Sequence, residues 1–145
     1  MFMQSILVAV SAMVAFIIGS VIIGYFIGIP ESLNFSSYNY LKENVWLLFL
    51  TLAGVYVASS FGEEVIYRAF LINRFSELGL NIKFGKALVV ITSSIVFGLI
   101  HYNWGLLGVI QTSFMGLVLC ISYLYLKKKI WTLVLAHAIM DTVLF

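Results

Sequence analysis

The chain has 145 residues, 63% of them hydrophobic and only 10% charged, with a mean hydropathy of +1.11 and a net charge of +2. A soluble domain is about half apolar and about a quarter charged, so this composition describes one domain dissolved in lipid. No Lys/Arg-rich arm is present, which excludes nucleic acid as a partner, and the lone Cys120 excludes an internal disulfide.

In chain order, Met3 to Ile29 is the first apolar run, long enough for a tilted crossing of a roughly 30 Å hydrocarbon core. It lacks a basic n-region and is too long for an h-region, so it reads as a retained transmembrane helix rather than a signal peptide. Ser20, Gly24 and Gly28 recur every four residues and predict a small-residue face, packed within the chain or used for a homodimer. Pro30 ends this helix, and a polar loop carrying Glu31, Asn34, Ser36, Ser37, Asn39, Lys42 and Glu43 follows. Val45 to Phe75 is a second run, longer than one crossing needs. Arg74 to Lys86 is a short polar connection. Ala87 to Leu126 then holds two crossings, with Tyr102-Asn103-Trp104-Gly105 as the turn between them. A last, short run extends from Ile130 to Phe145. The sequence predicts an all-α, polytopic membrane bundle of about five transmembrane helices, a single domain over 1–145.

Alternating the five spans puts Arg74, Lys83, Lys86, Lys127, Lys128 and Lys129 on the amino-terminal side and Lys42 alone on the other. Basic loops stay in the cytoplasm, so an integral protein of the plasma membrane with a cytoplasmic amino terminus is expected. Trp46, Trp104 and Trp131 fall at span ends, where indole rings prefer to sit. Cys120, inside an apolar run, reads as a small buried hydrophobe.

The ionisable residues inside the apolar runs carry the chemistry. A charge at bilayer depth costs a few kcal/mol even on the gentlest scales, so it survives with a partner or a task. Glu63, Glu64 and Arg68 share one stretch of helix. Spacing of four lets Glu64 pair with Arg68, while Glu63 lies about 100° round the helix without such a partner. His101, His137 and Asp141 lie in other apolar spans, the last two one helical turn apart. Counted from the basic loops at about 1.5 Å per residue, these groups fall roughly 10 to 20 Å deep, in one layer. Each has a bland reading: His101 as a hydrogen-bonded core histidine, His137 with Asp141 as a self-satisfied pair, Glu64 with Arg68 as a structural ion pair. Together they suit hydrolysis. His101, His137 and Asp141 are the ligand types zinc favours, with a glutamate as general base; without metal, Glu63 activates water and a histidine steadies the oxyanion. The sequence leaves both mechanisms open.

Glu63-Glu64-Val65-Ile66-Tyr67-Arg68 matches EExxxR, Phe97-Gly98-Leu99-Ile100-His101 matches FxxxH, and His137-Ala138-Ile139-Met140-Asp141 matches HxxxN/D. In this order, in a polytopic chain, the three motifs resemble the CPBP intramembrane proteases, which include type II CAAX prenyl endopeptidases and proteins of bacteriocin processing and self-immunity. The resemblance implies an intramembrane endopeptidase acting on a peptide or prenylated protein, with its motif-bearing core over 45–145. It makes Glu63 the base, Glu64 and Arg68 its support, and His101, His137 and Asp141 the remainder of the site, around water or zinc. Family members usually carry more than five transmembrane helices, which leaves room for a homodimer or a partner chain. The alternatives are a non-catalytic membrane protein acting by binding, as in bacteriocin self-immunity, and a small proton-coupled transporter.

Overall fold

The computed structural model describes residues 1–28, 36–79 and 83–144, and the expected Pro30 break with Glu31 and Asn34 lies outside them. Among the described residues the chain forms five long helices and no strand: α1 (Phe2–Ile27), α2 (Val45–Glu77), α3 (Lys83–Leu99), α4 (Gly105–Tyr125) and α5 (Ile130–Leu144). Short stretches of 3₁₀ helix at Ser36–Leu41 and Tyr102–Trp104 precede α2 and α4, the second of them in the turn expected from the sequence. The runs spanning α1, α2 and Tyr102–Tyr125 are long and apolar enough to cross a membrane, while Phe84–Leu99 and Ile130–Leu144 are apolar but shorter.

The outward surface is that of a protein solvated by lipid. Trp46, Leu50, Val57 and Ile66 on α2 and Leu7, Ile17 and Val21 on α1 are exposed. With hydrocarbon outside, apolar residues gain little by turning inward, and small residues and polar contacts decide the packing. On α1 the covered positions are Ser5, Val8, Ala9, Ala12, Ala15, Gly19 and Ile23. This is a small-residue face, but not the one expected. A Cβ on Gly24 or Gly28 would touch nothing, whereas one on Gly19 would come within 3.1 Å of the Gln111 backbone. Ser20 does lie at the contact, where it accepts a 2.5 Å hydrogen bond from Gln111.

α4 stands at the centre, against α1 on one side and α3 on the other. Met115, Leu119, Cys120 and Tyr123 of α4 pack with Val8, Ala9 and Ala12 of α1, Val89, Val90 and Phe97 of α3, and Leu133, Ala136 and Met140 of α5. Cys120 is fully buried there, the bland role expected of it. Two glycines set the α3–α4 distance. A Cβ on Gly98 would come within 2.5 Å of the Val109 carbonyl, and one on Gly116 within 2.9 Å of the Phe97 ring.

α2 is built differently. From Tyr56 to Phe70 its backbone winds in the wider π form, closed by the Leu71 N–H donating to the Ile66 carbonyl five residues back. π geometry is ordinarily a single-turn bulge and concentrates at functional sites; here it persists for 15 residues. The buried residues of this stretch are Ser60, Glu64 and Arg68, polar every one. They face α5.

Candidate active site

The wide turn of α2 holds the two neighbouring glutamates in different surroundings. Glu64 is fully buried, with Oε1 3.0 Å from Arg68 Nη1 and 2.9 Å from His137 Nδ1. The one carboxylate oxygen therefore joins a cation one turn along its own helix to an imidazole from α5. Arg68 is also fully buried, and its guanidinium lies 4.3 Å from the centre of the Phe97 ring. Its approach to Glu64 is a charge contact without hydrogen-bond geometry, so the aromatic face and the carboxylate together hold it. Glu63 is only partly buried, and its Oε2 stands 3.9 Å from His137 Nε2, too far for a direct hydrogen bond. Glu64 is the carboxylate held by partners and Glu63 the one without a hydrogen bond at Oε2, with the His137 imidazole as a basic neighbour that Glu63 was not expected to have.

α5 brings in the other two groups. His137 Nε2 lies 3.7 Å from Asp141 Oδ1, one turn on. Asp141 is fixed from the facing helix, where Ser60 donates a 2.7 Å hydrogen bond to Oδ2 and the Ser59 hydroxyl stands beside the same carboxylate. Tyr56 and Thr142 hydrogen-bond at 2.8 Å and continue the seam. Reading the motifs alone passes over Ser59 and Ser60. The signal was present, since two adjacent hydroxyls immediately precede Phe61-Gly62-Glu63 in a run otherwise apolar.

His101 was expected inside a span. It lies instead just past the end of α3, in the turn leading to α4. Its Nδ1 is 2.8 Å from the Phe97 carbonyl. A carbonyl can only accept, so Nδ1 carries the hydrogen and Nε2 is the nitrogen left for the cavity. The ring is steadied by Phe97 and Trp104, with centroids 5.1 and 4.9 Å away. Phe97 also reaches the His137 ring at 6.1 Å and the Tyr67 ring at 5.3 Å. One fully buried phenyl ring thus separates Arg68 and both histidines, which gives the first residue of the Phe97-to-His101 motif a packing role.

Glu63, His101, His137 and Asp141 all line one cavity of about 270 Å³, with Ser59, Thr112, Met115 and Trp104 completing its walls. Residues from α2, from the α3–α4 turn and from α5 therefore meet, as the shared layer in the sequence suggests.

Zinc makes a further demand. Both histidines present Nε2 while Nδ1 is tied to a carboxylate or a carbonyl, the outer-shell arrangement metal-bound histidines usually have. Yet among the described residues no three His, Cys, Asp or Glu side chains are grouped closely enough to hold a metal ion. As placed, the donor set does not fit zinc ligation, and the polar groups are spaced for contacts through water.

Comparison with known proteins adds one finding. Neither curated proteins nor solved structures yield a match. The signature of type II CAAX prenyl endopeptidase Rce1-like proteins matches residues 43–143, more than two thirds of the chain and all three motifs. With its apolar helices and its buried charges at Glu64 and Arg68, the chain belongs to the Rce1-like type II CAAX prenyl endopeptidase family, a family of proteases embedded in the membrane.

Proposed function

We propose that the chain is an intramembrane endopeptidase in which Glu63 activates a water molecule against a peptide carbonyl. The observation that carries this reading is the unequal treatment of two adjacent glutamates at one cavity. Glu64 meets Arg68 and His137 through Oε1 and does not line the cavity, whereas Glu63 makes no hydrogen bond at Oε2 and lines the space shared with both histidines. Glu63 takes a proton from water as the oxygen attacks the carbonyl carbon. A protonated histidine Nε2 donates to the resulting oxyanion, and Glu63 returns its proton to the leaving amine as the carbon–nitrogen bond breaks. Glu64 holds His137 by Nδ1, and Ser60 holds Asp141, so both are positioned before substrate arrives.

The substrate in this reading is a peptide, the prenylated carboxyl terminus of the family's name being one form. In this reading the protein sits in the plasma membrane, and the six basic residues gathered at one end of the bundle favour a cytoplasmic amino terminus. Zinc is the second reading: the pinned Nδ1 atoms of both histidines favour it, and His101, His137 and Asp141 would have to draw closer together than they stand here to ligate it. Purified protein in lipid nanodiscs, assayed for cleavage of prenylated and unprenylated peptides, tests the proposal. Turnover that survives exhaustive chelation and disappears in Glu63→Gln supports it. Turnover lost to a chelator and restored by zinc supports the second reading, and no hydrolysis by the wild-type chain removes both.

A further inference from the structure

We infer that Phe16 of α1 is a specificity-determining residue of the site: its ring limits the size of the substrate side chain that lies beside the scissile bond. The inference rests on the peptidase reading and adds to it which part of the chain selects the peptide. Among the described residues, α1 contributes one side chain to the cavity wall, that of Phe16. Glu63, His101, His137 and Asp141 come from α2, the α3–α4 turn and α5, all within residues 43–143. α1 lies before that stretch, so the wall it builds stands outside the family signature.

The segment that carries the ring is held firmly. Phe16 is half-buried against the core, between buried Ala15 and exposed Ile17. One turn on, Gly19 lets α1 approach α4 so closely that a Cβ there would stand 3.1 Å from the Gln111 Cα. Gln111 donates to Ser20 at 2.5 Å, and Ser20 donates in turn to the Phe16 carbonyl at 3.4 Å. Close backbone approach and a hydrogen-bonded link thus fix this turn of α1, and a close-packed contact does not yield to a larger guest. Met115 stands one turn from Gln111 on α4, as Phe16 does from Gly19 on α1, and both reach the cavity.

Size and polarity decide what this wall selects. The cavity is about 270 Å³, below the roughly 300–1,000 Å³ of ordinary ligand pockets, so one ring more or less changes what fits. With Phe16 the wall includes Met115 and Thr112, and the Thr112 hydroxyl gives its hydrogen to the Gly108 carbonyl at 2.7 Å. None of these three residues carries a charge. An apolar side chain suits the wall, whereas a charged one would lose its water there without gaining a partner. With the phenyl ring in place, aliphatic side chains are accepted and aromatic ones are excluded.

Side-chain preference is the readout. Wild type, Phe16→Ala, Phe16→Trp and Ile17→Ala in lipid nanodiscs are given prenylated and unprenylated peptides with alanine, leucine, phenylalanine or tryptophan at each position in turn. Mass spectrometry of the products locates the scissile bond, and kcat/KM is compared for peptides that differ only beside it. Wild type is expected to favour leucine over phenylalanine. Phe16→Ala should move that ratio at least about tenfold towards phenylalanine, the lower end of what one methylene changes in an apolar pocket. Phe16→Trp should move preference from leucine towards alanine, and Phe16→Leu takes the place of either variant if it fails to accumulate. Ile17→Ala alters the exposed neighbour and should keep the wild-type ratio. If Phe16 only packs, its variants lose stability or rate for every peptide alike. A wild-type ratio in the Phe16 variants, or an equal shift in Ile17→Ala, overturns the inference and leaves the peptidase reading standing. No cleavage of any peptide by wild type removes the peptidase reading, and the inference with it.

Discussion

The contact of α1 with α4 and that of α2 with α5 are both helix pairings in one small bundle, yet they are held by opposite means. α1 meets α4 through alanines and a glycine that let backbones approach, with a polar link from Gln111 to Ser20. α2 meets α5 through Tyr56 with Thr142, Ser60 with Asp141 and Glu64 with His137, and its buried residues from Tyr56 to Phe70 include nothing apolar. The first contact depends on shape, the second on pairs of polar groups. A shape-based contact tolerates any side chain that fits, whereas a polar one in lipid fails when one member is removed, since neither water nor hydrocarbon will replace it. The chemistry is built into the contact that can least absorb change.

Glu64→Gln breaks that second contact most severely. It leaves the fully buried Arg68 without its carboxylate and loosens His137, and removing one partner of a buried ion pair costs about 3–5 kcal/mol. The variant should melt far below wild type in detergent. Combining Glu64→Leu with Arg68→Met removes both charges and should recover most of the melting temperature without recovering turnover. A single variant as stable as wild type would show that the pair contributes nothing to the fold.

Gly98→Ala tests the shape-based kind of contact next to the site. The added methyl meets the Val109 carbonyl at 2.5 Å, and backbone cannot turn aside as a flexible side chain can. Overpacking of this kind costs about 1–3 kcal/mol. Because Gly98 lies between Phe97 and His101, turnover should fall along with melting temperature. A loss of stability with full activity would separate the α3–α4 spacing from the placement of His101.

The same contrast explains what the sequence shows and what it conceals. The five apolar runs and the turn at Tyr102 to Gly105 are legible because length and punctuation are local properties. The convergence of Glu63, His101, His137 and Asp141 is legible because charge in an apolar run needs a reason. The covered face of α1 is not, since Gly24 and Gly19 offer the same absence of side chain, and only the position of Gln111 decides between them. Nor is the winding of α2. Counting at the α-helical rise treats α2 as uniform, but fifteen residues of it wind in the π form. His101, placed in a span by the count, lies in a turn. The pairing of Ser60 with Asp141 spans 81 residues and depends on that winding.

Ser60→Ala removes one hydrogen bond from the polar seam and leaves its geometry otherwise in place. A hydrogen bond to a charged group contributes about 1.5–3 kcal/mol, and Ser59 beside the same carboxylate should hold the loss near the lower figure. The double variant with Ser59→Ala should exceed the sum of the two single ones, since each hydroxyl covers for the other. Strict additivity in a melting series would show that the two serines act on Asp141 independently.

Glu63→Gln is expected to have the smallest effect on the fold and to mark the limit of the comparison. Glu63 belongs by position to the polar contact between α2 and α5, but its Oε2 makes no hydrogen bond and stays 3.9 Å from His137. The amide is nearly the same size and shape, so the change leaves no cavity and removes no partner. Stability should stay within about 0.5 kcal/mol of wild type, as for substitutions away from packed or paired features. Turnover should nevertheless fall by about 10²–10⁴, the contribution of a positioned general base. An amide has no basic oxygen for water's proton, while Glu64, a neighbour in sequence, stays occupied by Arg68 and His137. Melting curves and peptide cleavage measured on the same preparation separate the two effects. A Glu63→Gln protein that melts as low as Glu64→Gln would make Glu63 a member of the structural seam and return the role of base to another group.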